Sequence, residues 1–560
     1  MTEALETTVG LRPPEEVMRL DRLGAAFPTR LSFMRILLRC MGSEEWRVEQ
    51  KQFDLDDEGY GRALYQVTTP SATYSLMAFS QFLDPAERTD RVIAEAWDAT
   101  FVLFDGVPDP EDVERLAQEA PKQEAGRYRS TDLVLSRANK SLRLFNHVVD
   151  RLSQGAQPDE ELLIEIGYLM RTTAVYANGK FGLADRKAYA DREALAAPFQ
   201  AEMLTVYLIR CFTFDLVEHV ARRQNAEHAV SLDRAYKRYL GIGNATGLGM
   251  APFLVSHPTL IHKWFYARES ALARIRSVNR ASPAALAHFS RVLRRGARHL
   301  DEWSVDDEGQ TRRIKTLRCE ARVLQEWIGE IDTETARPWD CLYAHAASAF
   351  SLEGQEFLVS LLLEPYLDLV DDLAGRLSAD QEPLVDPTMT LEELGSILLE
   401  RYDWVLEIDF DAPKADRYVW YYSEEKLEPR RGERRAEIGT EQEMAVATAQ
   451  DIWRLWSTVD EMSEGTVAAL LRTRPDFRHA INRVQIAADH SYSELRDNLV
   501  GEDCRPVDIL RAKLAYFGAS KFDPKSYLWT RITMYQGAPL PEEVSGADDW
   551  SFPALREPVG

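Results

Sequence analysis

Near the amino terminus, hydrophobic positions alternate with polar ones in three short runs. Trp46–Phe53 and Arg62–Thr69 flank the turn residues Asp56-Asp57-Glu58-Gly59, and Thr73–Phe82 follows Pro70-Ser71-Ala72. Period-two runs joined by Gly and Pro turns predict an antiparallel meander. A helix over about Thr29–Met41 precedes it, and a helix over Arg88–Phe104 is expected to cover one of its faces.

Beyond residue 110 the apolar positions move to a 3.6-residue period. Leu133, Leu135, Leu142, Leu144, Val148 and Leu152 recur near that spacing after the capping residues Ser130 and Asp132, and a further helix runs from Pro158 toward Tyr176. The same period marks Ala197–Arg223, Pro252–Arg280, Pro283–Trp303, Arg313–Ile331, Glu353–Leu377, Leu391–Tyr402, Glu441–Val459 and Thr466–Leu499. The pattern predicts a mainly α, multi-helix globular protein with a small antiparallel β-meander near the N-terminus (α+β). Three regions are expected: 1–106 with the meander, 107–377 helical with glycine-rich loops, and 388–560 helical. The Asp/Pro-bearing stretch Ser378–Pro387 is the linker before the last of them.

Composition narrows the class. With 45% hydrophobic residues, and 12 Trp, 21 Tyr and 22 Phe among them, the chain is built to bury a large core. Its net charge of −24 opposes nucleic-acid and anionic-membrane partners. Two basic runs, Arg291–Arg298 and Arg430–Arg435, are interrupted by or adjacent to acids and read as solvated charged faces. No run approaches the ~18 apolar residues of a membrane span. Five scattered cysteines without a CxxC pair, and a first segment without signal-peptide character, lead to the expectation of a cytoplasmic protein.

Candidate chemistry gathers where glycines and small polar residues meet charges. In Arg171–Asp185, a helix carrying Arg171, Thr172 and Tyr176 is expected to end at Asn178-Gly179, leaving Lys180 in a loop between glycines. In Gly241–His257, Gly243, Asn244, Thr246 and Gly247 form a glycine-rich loop leading into a helix. Backbone N–H groups at a helix start make such a loop an anion site. The GxGxxxG spacing there suggests a nucleotide. It is set aside because a helical pattern precedes the glycines and no βαβ unit surrounds them. In Asp503–Phe522, Arg505 precedes a helix, and Lys521 follows its terminating Gly518. Glu202 in an apolar helix and His257 are the candidate proton carriers.

Metal-binding patterns are weak. HExxH is absent, and Asp368, Asp371 and Asp372 lack a second acidic cluster. No metal and no cofactor is predicted. The expected function is an enzyme acting on a small anionic metabolite (carboxylate, phosphate or sulfonate), a lyase or hydrolase using acid–base or lysine-assisted chemistry. Lys180, Lys521, Glu202 and His257 are its candidate catalytic residues. Arg171, Tyr176, Asn178, Gly243, Asn244, Thr246, Gly247 and Arg505 are its candidate substrate-binding residues. A homo-oligomer is compatible with this reading. A non-catalytic helical scaffold or regulatory protein is the alternative, and a flavin- or nucleotide-dependent oxidoreductase the third.

Overall fold

A computed structural model of the 560-residue chain describes residues 9–17, 19–84, 96–122, 129–177, 192–247, 258–377, 385–406, 419–423, 428–432, 443–446, 448–462, 464–478, 480–481, 484, 506–525, 529–546 and 550–556. The meander is present as β1 (Arg47–Leu55), β2 (Gly61–Thr68) and β3 (Thr73–Ser80). It does not stop there. β4 (Ala99–Asp105), β5 (Asp132–Lys140), β6 (Tyr168–Ala177) and β7 (Gly241–Gly247) extend it. Two late strands, β11 (Phe522–Pro524) and β12 (Trp529–Met534), close the far edge. The sheet order is β1-β2-β3-β4-β5-β6-β7-β12-β11, antiparallel throughout except between β6 and β7, which are parallel.

This nine-stranded mixed sheet overturns the expected fold class, a mainly α protein with a small antiparallel meander. The physical reason is burial on both faces. β4, Ala-Thr-Phe-Val-Leu-Phe-Asp, is buried at every position but its last, so its sequence shows no period-two alternation. The apparent helical spacing of Leu133 to Leu152 joins two elements, strand β5 and the helix Phe145–Ser153. Arg171–Tyr176, expected in a helix, lies in β6. Gly241–Gly247, expected as a glycine-rich loop, is strand β7.

The helices come in chain order. After two single-turn helices, Pro14–Val17 and Leu20–Leu23, come α1 (Phe33–Ser43), α2 (Pro110–Glu119), α3 (Phe145–Ser153), the short helix Glu160–Ile166 and the 25-residue α4 (Gln200–Gln224). The short α5 (Arg234–Tyr239) leads into β7. Then follow α6 (Pro258–Arg276), α7 (Pro283–Glu302), α8 (Glu308–Glu330), α9 (Pro338–Ala349) and α10 (Leu352–Leu362). One sheet face is covered by α4, whose Leu204, Leu208, Phe212 and Leu216 share a core with Leu76, Phe101 and Leu103. The other is covered by α2, where Leu116 packs with Met77, Phe79, Val102 and Phe104.

Arg210 ties α4 to the sheet. Fully buried, it donates to the carbonyls of Lys237, Arg238 and Leu240 at the end of α5, and to Ala538 and Pro539 beyond β12. Each carbonyl would otherwise be a buried unpaired acceptor.

The core is continuous from the sheet into α6–α10, and includes α14 (Pro506–Phe517). A separate core joins Leu391, Leu394 and Leu398 of α11 (Leu391–Arg401), Ile452 and Leu455 of α12 (Thr448–Met462), and Val467 and Leu470 of α13 (Val467–Thr473). A three-stranded sheet, β10-β8-β9, comprises Val419–Ser423 (β8), Glu428–Gly432 (β9) and Glu443–Val446 (β10). No helix among the described residues is long and apolar enough to cross a membrane.

Candidate functional site

β6, α4, α5 and β7 form a parallel β–helix–β crossover, the only such unit among the described strands. It corrects the expectation that no βαβ unit surrounds the glycine motif. In register, Arg171 lies opposite Gly243 and Thr172 opposite Asn244. The Asn244 amide donates to the Thr172 hydroxyl at 3.0 Å and to its carbonyl at 3.3 Å. The Thr172 hydroxyl in turn donates to the Gly243 carbonyl. These bonds clamp the two parallel strands. Arg171 is buried in β6 beside them, 5% exposed.

Two of the glycines answer to packing. A Cβ at Gly243 would lie 2.7 Å from the Tyr168 ring, and one at Gly241 would strike the Met534 carbonyl. Neither position admits a side chain, whatever is bound nearby. Thr246 and Gly247 pair with Thr530 and Trp529 across β12, and Tyr176 pairs with Leu135 across β5.

The carboxyl ends of β6 and β7 point the same way. β6 leads directly into residues 178–191, β7 into 248–257, and α6 begins at Pro258. Asn178, Lys180 and His257 fall in those segments and Arg505 in another, all outside the described residues. Arg192, where the chain resumes, pairs with Asp105 at the carboxyl end of β4. Glu202 is buried in the first turn of α4.

Lys521 occupies a different setting. It precedes β11, two strands away from β7, where Phe522 faces Ile532 and Ile532 faces Asn244. Its ammonium donates to the Tyr239 hydroxyl at 3.0 Å and lies 5.4 Å from that ring's centre. Burial pushes the Lys521 amine down to about 8, with Glu302 opposing the shift. Beside it, burial and then the Lys521 charge push His299 down to about 3. His299 is therefore neutral, and its Nδ1 donates to the Pro553 carbonyl at 2.7 Å. The described contacts bring Arg171, Thr172, Gly243 and Asn244 together and leave Lys521 apart from them.

Two other features bear on the sequence reading. Asp371 is taken up by Arg30 and Asp372 by Arg274, and no group of metal-ligating side chains occurs among the described residues. In the run Arg291–Arg298, read as a solvated face, Arg291 and Arg294 are exposed, and Arg294, Ala297 and Arg298 line part of a cavity of about 310 Å³ between α7 and α8. Its signal, arginines four residues apart on two successive helices, is legible only once the helices are paired. The sequence matches no protein-family model, and comparisons with curated proteins and with solved structures return no match.

Proposed function

We propose that this chain is an enzyme acting on a small anionic metabolite held at the carboxyl ends of β6 and β7. The observation that supports it is the parallel crossover, whose two strands run straight into the glycine-bearing segments singled out by sequence. In open sheets with parallel strands, ligands bind outside the carboxyl ends, where strand-to-helix connections direct backbone N–H groups and helix amino termini at anions. Lys180, four residues beyond Tyr176, supplies the charge.

A second reading gains from one observation. β7 ends at Gly247, Gly249 follows it in sequence and α6 begins at Pro258, a strand-then-helix order that suits a nucleotide, although Gly241 and Gly243 lie within the strand itself. A phosphate of a nucleotide is then one form that the anion takes.

The test is a thermal-shift and calorimetric screen of small carboxylates, phosphates, sulfonates and nucleotides against the intact chain. Lys180→Ala is expected to weaken the ligand found by about tenfold or more, near 1.4 kcal/mol, with an unchanged melting temperature. Full affinity retained in Lys180→Ala would overturn the proposal.

A further inference from the structure

α7 and α8 pack antiparallel and are joined by a short connection, residues 303–307. Arg294 and Arg298 are four residues apart on α7, and Arg318 and Arg322 four apart on α8. That spacing places each pair on one helix face, and the two faces meet across a cavity of about 310 Å³. Between the arginines stand Ala297 and Ala321, whose methyl groups leave the cleft open where longer side chains would fill it.

The four guanidiniums are not equivalent. Arg318 is committed: its Nε and Nη2 donate to the Leu300 carbonyl at 2.9 and 2.7 Å, and Nη2 to the Trp303 carbonyl at 3.0 Å. It satisfies the carbonyls that end α7 and so is held in place by the helix terminus. Arg294, Arg298 and Arg322 make no hydrogen bond or ion pair among the described residues, and Arg294 and Arg322 are exposed. Asp301 is the one carboxylate lining the cleft. Four guanidiniums against one carboxylate leave three positive charges uncompensated, in a chain whose net charge is −24. On so acidic a protein, a cleft lined by four arginines and a single acid stands out from the surface around it.

We infer that the α7–α8 cleft is a binding site for a small oligophosphate, either inorganic or the phosphate chain of a nucleotide, separate from the site at β6 and β7. Guanidinium forks match phosphate oxygens in pairs, and three unpaired forks around one small space suit a compact anion of several charges better than a single carboxylate. The volume is at the small end of ligand pockets, about 300–1,000 Å³. No aromatic side chain lines the cleft to stack on a base. A ligand bridging both helices would also draw α7 and α8 together.

Calorimetry of the full chain with tripolyphosphate, pyrophosphate and ATP tests this, alongside the double variant Arg298→Gln/Arg322→Gln and, separately, Lys180→Ala. Expected is a binding event that weakens with salt, falls about tenfold or more in the double variant and persists in Lys180→Ala, any second event lost in Lys180→Ala belonging to the site at β6 and β7. Either order of ATP and tripolyphosphate affinity supports the site, and the order tells whether the nucleoside contributes. Both substituted arginines reach the surface, and an unchanged melting temperature confirms that the variant folds. Absence of binding at about 1 mM ligand, or binding untouched by the double variant, would overturn the inference. So would tighter binding of a single-stranded oligonucleotide of matched charge, which would make the cleft part of an extended nucleic-acid surface.

Discussion

At the scale of single residues, Lys521 is the side chain whose surroundings alter its chemistry most usefully. Burial disfavours its charged form and places its titration near pH 8, so a large share of the amine is neutral at mildly alkaline pH. Since the unfolded chain holds this proton more tightly than the folded protein does, the stability Lys521 contributes is present above about pH 10.5. It is lost as pH falls toward 8. With ¹³Cε-labelled lysine, one NMR resonance should titrate near pH 8, and it should be missing from Lys521→Arg. Titration of every lysine above pH 10 would show that the amine is solvated like any other. The neighbouring His299 was invisible to this argument in sequence, because what lowers it is the lysine and the apolar packing brought by a segment 222 residues later.

At the scale of elements, α12 carries the clearest pH sensitivity. Burial pushes Asp451 up to about 7, against the opposing pull of Arg454 and with Asp476 adding to the rise. Here the folded state binds the proton more tightly than the unfolded chain. The contribution of Asp451 to stability is therefore greatest below about pH 4 and is lost as pH rises toward 7. Asp451→Asn should raise the melting temperature of the α11–α13 core at pH 8 and flatten its dependence between pH 4 and 7. An unchanged slope would mean that the carboxyl is hydrated. Helical elements were the legible ones. Leu391–Arg401, Pro283–Glu302 and Gln200–Gln224 all begin and end within a few residues of their predicted bounds, since a capping residue or proline marks a helix start locally. Strands β4 to β7 were not. β4 is apolar on both faces, and β6 and β7 mix small and polar residues because neighbouring strands and α4 enclose them.

At the scale of the whole molecule, a buried ion network joins segments far apart in the chain. Arg12 pairs with Glu269 of α6 at 2.6 Å and with Glu356 of α10 at 2.7 Å. Arg22 and Arg268 also reach Glu356. Although burial alone would raise the Glu356 carboxyl, Arg12, Arg268 and Arg22 hold it below the usual carboxylate range. Glu356→Gln would leave three buried guanidiniums short of a counter-charge. A loss of about 3–5 kcal/mol is expected in chemical denaturation, with the N-terminal segment becoming sensitive to limited proteolysis. A loss below about 1 kcal/mol would show that water or a rearranged Glu269 takes over. The sequence by itself determined the large apolar core, the acidic balance, the first three strands and individual helices such as α4, α7 and α11. These are properties of composition and of spacing within a few residues. Only the tertiary structure decided that β6 and β7 are parallel partners, that Lys521 faces Tyr239 and His299, and that four arginines surround one cleft. Each of those depends on contacts between residues tens to hundreds of positions apart, and burial on both faces erases the local periodicity that would have announced them.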